Sequence, residues 1–128
     1  MGIWHQRSRR SATGSLYKKF AKKRKHALGR EPTETVLGEK KIKKIRTKGG
    51  GLKVRLVKTM EINVVDPKTR KTFKAKILSV EKNPANTDYS RRGVITKSTI
   101  VRVEKGLVRV TSRPGQHGVL NGILIEES

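Results

Sequence analysis

Large aliphatic side chains recur at every second position through most of the C-terminal two thirds of this chain. That spacing puts them on one face of a β-strand and would scatter them around a helix. Leu52, Val54 and Leu56 alternate with Lys53 and Arg55. Met60, Ile62 and Val64 lead through the turn-forming run Asp66-Pro67-Lys68-Thr69-Arg70 to Phe73, Ala75 and Ile77, which alternate with Lys74 and Lys76. Val101 and Val103 precede Glu104-Lys105-Gly106, and Val108 and Val110 follow it, with Arg102 and Arg109 on the opposite face. Ile123, Leu124 and Ile125 supply a last strand. Short strands divided by Gly- or Pro-containing turns within residues 40–128 predict an all-β fold. A small antiparallel β-barrel is favoured over a sandwich, because closure removes edges that would aggregate.

Residues 1–39 carry no such pattern and are predicted to form a basic N-terminal extension to the barrel domain of residues 40–128. Within residues 1–30 there are ten Lys/Arg and no acid. The large apolar residues there (Ile3, Trp4, Leu16, Tyr17, Phe20 and Leu28) are too sparse to offset chain entropy, so the extension alone should be largely disordered. Leu16, Tyr17, Phe20 and Leu28 have loosely helical spacing, and Gly29 stands where a helix could stop, which predicts one short helix.

The whole chain has 128 residues, enough for one domain and an arm. Its 32 Lys+Arg against 10 Asp+Glu leave a net charge of +22. Residues 1–58 hold 19 of those cations and three acids, Glu31, Glu34 and Glu39. Self-repulsion on this scale calls for a polyanionic partner, and nucleic acid is the natural one. The absence of cysteine removes disulfides, thiolate nucleophiles and zinc ribbons. The N-terminus lacks the apolar stretch of a secretory signal, and no apolar run approaches a membrane span, so a soluble, intracellular protein is expected.

The densest feature is Lys18-Lys19-Phe20-Ala21-Lys22-Lys23-Arg24-Lys25-His26, with five lysines and one arginine in nine positions. Closely spaced phosphates make such density favourable, although a solvated charge run is the plainer alternative. Arg7, Arg9 and Arg10 precede Thr13-Gly14, where arginines can fork onto phosphate oxygens and glycine lets backbone approach a nucleotide, with a frayed terminus as the alternative. Lys43, Lys44, Arg46 and Lys48 run into Gly49-Gly50-Gly51, and Lys53 and Arg55 follow, so a glycine turn is bracketed by cations. It lacks the ending and spacing of a Walker loop, and an ordinary hairpin explains it as well. Thr111-Ser112-Arg113-Pro114-Gly115-Gln116-His117-Gly118 could present one cation, Arg113, from a shaped loop, with ordinary loop chemistry as the leading rival. Arg30, Arg91 and Arg92 complete the candidate RNA-binding set.

Aromatics make up 4% of the chain and form no stripe on a basic strand, so binding through backbone and shape is favoured over base stacking. Asp66 and Asp88 offer no carboxylate pair, and His5, His26 and His117 lack metal-ligand spacing. No catalytic residue, metal or cofactor is therefore predicted.

Several runs together are similar to one family. They are Ser11-Ala12-Thr13-Gly14, the stretch Lys22-Lys23-Arg24-Lys25-His26-Ala27-Leu28-Gly29-Arg30-Glu31-Pro32-Thr33-Glu34-Thr35, Asn83-Pro84-Ala85-Asn86, Gly93-Val94-Ile95-Thr96-Lys97, and Val110-Thr111-Ser112-Arg113-Pro114-Gly115-Gln116. Over nearly its whole length the chain resembles the small-subunit ribosomal protein eight-e family of archaea and eukaryotes, in its short archaeal form. Gly51 replaces an asparagine and His117 an aspartate that the family pattern would lead one to expect.

The resemblance implies an all-β barrel with an rRNA-penetrating extension, no catalysis and no cofactor. It also implies a cytoplasmic place in the ribosome, against the 5′ region of small-subunit rRNA and neighbouring ribosomal proteins. Neither a membrane nor a second copy of the chain is expected as a partner. Without the resemblance, a general nucleic-acid-condensing protein would fit the charge equally, and an RNA-processing enzyme would need an acid–base constellation that the sequence does not display.

Overall fold

A computed structural model describes residues 3–18 and 20–125. The chain divides into two compact units, residues 1–32 and 33–128. In the first, β1 (Ile3–Trp4) pairs antiparallel with β2 (Leu28–Gly29). The only helical element described there is a single 3-10 turn, Lys25–Ala27. The helical spacing of Leu16, Tyr17 and Phe20 thus amounts to no α-helix among the described residues. Like charges crowd the adjoining run, and isolated helices this short are marginal in water.

The second unit begins with β3 (Val36–Leu37), β4 (Lys41–Arg46) and β5 (Leu52–Thr59). It continues through β6 (Glu61–Val65), β7 (Thr72–Lys82), the short helix α1 (Thr87–Arg91), β8 (Ile100–Val103) and β9 (Gly106–Val110). It ends with the single-turn helix α2 (Pro114–His117) and β10 (Asn121–Ile125). Five strands close a barrel in the order β10-β6-β7-β8-β9. Four of its five seams are antiparallel, as expected, but the closing seam between β6 and β10 is parallel. The strand carrying Leu52, Val54 and Leu56 lies outside the barrel, in a three-stranded sheet ordered β3-β5-β4.

Most of the alternating residues form the core, whereas Leu52, Met60 and Ile123, expected on the same faces, are exposed. Ile62, Val64, Ile77, Val101, Val103, Val108 and Val110 cluster with Leu56, Ile95 and Leu120. Each such side chain removed from water contributes about 1.5–3 kcal/mol before chain entropy is counted. Among the described residues, the buried hydrophobic side chains are all aliphatic, with Phe73 packed against them half-buried. Gly122 keeps the wall thin where β10 crosses β9, because a Cβ there would lie 2.4 Å from Val108 Cγ1 and 2.9 Å from the Arg109 carbonyl oxygen.

Residues 33–39, read from sequence as part of the extension, pack within the second unit. Thr35 is fully buried, its hydroxyl donates to the Leu56 carbonyl at 2.7 Å, and its own carbonyl accepts from the Ile95 N–H at 2.7 Å. Val36 and Leu37 run parallel beside Lys58 and Thr59. Asn83 has a structural role as well: its amide donates to the Val94 carbonyl at 2.8 Å, and its side-chain oxygen accepts from Ala85 N–H at 3.0 Å and the Thr96 hydroxyl at 3.1 Å. Asn86 caps α1 by accepting from Asp88 N–H at 2.9 Å. Two of the runs that carry the family resemblance therefore tie one loop together.

Candidate nucleic-acid interface

The hairpin of β4 and β5 concentrates the cations of the second unit. Lys43 stands directly opposite Arg55, and Lys41 opposite Lys58. Like charges facing each other across strands are destabilising, and an anion laid over both relieves the repulsion. Lys44 and Arg46 point to the other face, opposite Val54 and Leu52. At the tip, Lys48 starts a short 3-10 turn in which Gly49 and Gly50 have φ of 80° and 85°. Two successive left-handed residues require glycine, and both are exposed, so backbone is bare at the tip.

The α2 loop adjoins β5. Lys53 Nζ donates to Gln116 Oε1 at 2.8 Å, and Arg55 Nη1 donates to Thr33 Oγ1 at 3.2 Å. A Cβ on Gly115 would lie 3.5 Å from Thr33 Cβ, and one on Gly118 would lie 2.6 Å from Val54 Cγ1. The fold thus joins two segments more than fifty residues apart, with exposed Arg113 at the start of α2. Arg91 and Arg92 lie at the end of α1. Arg92 is engaged internally: its guanidinium pairs with both oxygens of Glu34 and, at 3.3 Å, with Asp88. Lys41 and Lys58 were not among the sequence candidates. Lys58 escapes simple alternation because Val57 is an extra residue where the β4–β5 register shifts.

In the first unit, Arg9 to Tyr17 fold back on themselves. Tyr17 N–H donates to the Arg9 carbonyl at 2.8 Å, and Ser11 N–H to that of Ser15 at 2.9 Å. Arg10 Nη1 binds the Gly14 carbonyl at 2.8 Å, and Ser11 Oγ lies 2.7 Å from the hydroxyls of both Thr13 and Ser15. Arg7 stacks over the Tyr17 ring, 3.9 Å from its centroid. Lys18, Lys22, Lys23, Arg24, Lys25, His26 and Arg30 are all exposed. Lys19 lies outside the described residues.

These features define a class of small, strongly basic β-barrel proteins with more cations than their own carboxylates can pair. Residues 4–125 match the family model described as Ribosomal protein S8e. The chain is 53% identical over 120 residues to the small ribosomal subunit protein eS8 of Nanoarchaeum equitans, covering 94% of each chain. It is 51% identical to that of Methanococcus aeolicus, over 99% of this chain and 100% of the relative. To that of Staphylothermus marinus it is 50% identical, over 97% and 98%. The chain belongs to the ribosomal protein S8e family.

Proposed function

We infer that this protein is a non-enzymatic structural constituent of the small ribosomal subunit, which binds and stabilises rRNA by neutralising phosphates and so supports subunit assembly and translation in the cytoplasm. The relatives' names supply the ribosomal setting. The observation that supports the binding mode is the crowding of like cations along β4 and β5, where Lys43 faces Arg55 and Lys41 faces Lys58, a repulsion that an anion laid over the strands relieves. Arg7, Arg9, Arg10, Lys18, Lys22, Lys23, Arg24, Lys25 and Arg30 extend the same chemistry along the first unit. The partner is the 5′ region of small-subunit rRNA, with other ribosomal proteins as neighbours.

Binding to a transcript of that rRNA region, measured across a salt series, tests this reading. Log affinity should fall steeply with log salt, and each duplex-phosphate contact removed should reduce the slope by about 0.9. Alanine at Lys22, Lys23, Arg24 and Lys25 should weaken binding to all RNA sequences alike, because backbone contacts do not read bases. Equal affinity for duplex DNA would instead favour a general condensing protein.

A further inference from the structure

The chain has five aromatic residues, and three of them, Trp4, Tyr17 and Phe20, fall within its first twenty. Phe20 is fully exposed, and Leu16 and Tyr17 are exposed as well. They line a groove of about 1210 Å³ in the first unit, together with Trp4 and the cations Arg7, Lys22 and Lys23. A guanidinium already lies on one face of Tyr17, and the Lys23 ammonium stands 5.7 Å from the Trp4 ring centroid. The Trp4 indole N–H is satisfied by the Arg7 carbonyl at 3.3 Å, which fixes the edge of that ring.

Exposed aromatic faces alone would suit many apolar partners. These are flanked by cations in a segment without a single acid over residues 1–30, which selects an anionic occupant. Flat rings set among phosphate-binding cations are the arrangement that takes unstacked nucleotides, base on ring and phosphate on cation. The volume is ample for one such nucleotide.

We propose that this groove binds unpaired nucleotides of RNA, with bases stacked on Trp4, Tyr17 and Phe20 and their phosphates on Arg7, Lys22 and Lys23. The proposal rests on the rRNA-binding reading and adds to it a single-strand site inside an arm otherwise governed by charge. Stacking and neutralisation have different salt signatures, so they separate experimentally. Removing a ring lowers affinity without changing the number of ions released, whereas removing a cation changes the slope.

Trp4 is the only tryptophan, so its fluorescence reports on the groove directly. The test titrates the full-length protein with a single-stranded oligouridylate or oligoadenylate and with a blunt RNA duplex of equal charge. The single strands should quench Trp4 saturably, and the duplex far less. Tyr17→Ala and Phe20→Ala should each weaken single-strand binding about 5- to 150-fold with an unchanged salt slope. Lys22→Ala should reduce the slope instead. Equal quenching by the duplex, or unaltered affinity in both ring variants, would overturn the proposal, as would equal quenching by polyglutamate, which would point to an acidic protein partner. In any of these cases, retained salt-dependent binding to the rRNA transcript would leave the ribosomal reading intact. Loss of all RNA binding by the unmodified protein would sink both.

Discussion

Lys43 and Arg55 face each other across the β4–β5 seam, two cations held in register where a sheet ordinarily pairs opposite charges. Lys43→Glu converts repulsion into attraction, so the free protein should gain roughly 0.2–1 kcal/mol. The same substitution should weaken rRNA binding. Urea unfolding and a binding titration on one preparation check both signs, and a loss of stability would show that the pair is not strained in the free protein.

The fold places the start of the barrel unit at Thr33. A fragment of residues 33–128 should melt in one cooperative transition. One of residues 40–128 should lose at least about 2 kcal/mol, since it forfeits both hydrogen bonds of Thr35 at about 1 kcal/mol each. Equal melting temperatures would return the boundary to residue 40.

Gly122→Ala pushes a methyl group into Val108 and the Arg109 carbonyl, which should cost about 1–3 kcal/mol. Calorimetry should show a melting temperature lower by roughly 4–8 °C for each kcal/mol. Val103→Asp, with an unpaired charge among Ile77, Val101 and Val108, should abolish the transition altogether.

Arg91 and Arg92 are neighbours in sequence with different surroundings. Arg92→Ala removes an exposed ion-pair network with Glu34 and Asp88, and should cost about 0.2–1 kcal/mol of stability with little change in rRNA affinity. Arg91→Ala should do the reverse. A matched pair of melting and binding curves distinguishes them.

Asp66 accepts from the Thr69 hydroxyl at 2.8 Å and the Lys68 N–H at 2.9 Å, and these bonds hold its carboxyl below the ordinary aspartate value. A lowered folded value means that the turn is stabilised above the ordinary aspartate pKa and loses that contribution as pH falls through the folded value. Thr69→Val should move the titration of Asp66 upward in an NMR pH series, and an unmoved midpoint would assign the shift to something other than the hydroxyl.

Local spacing and composition were enough to read strands β5 to β10, most of the aliphatic core face and the cationic imbalance, although Leu52, Met60 and Ile123 are exposed and the buried Ile95 and Leu120 lie outside the alternating runs. Period-two alternation marks a half-buried strand wherever it forms, and charge is additive along a chain. The runs around Lys22–Thr35, Asn83–Asn86 and Val110–Gln116 were likewise sufficient to recognise the family.

Pairing between distant segments was decided only in three dimensions. The parallel closure of β10 on β6, the inclusion of Thr35 and the approach of α2 to β5 all join residues whose partners no local pattern names. Arg92 could not be told from Arg91 in sequence, because what separates them is a carboxylate fifty-eight positions away. The groove of Trp4, Tyr17 and Phe20 is hidden for the same reason. Three aromatics too few to form a stripe become one surface only when the chain folds back through the β1–β2 pair and the Arg9–Tyr17 hairpin, which bring their rings within reach of the same cations.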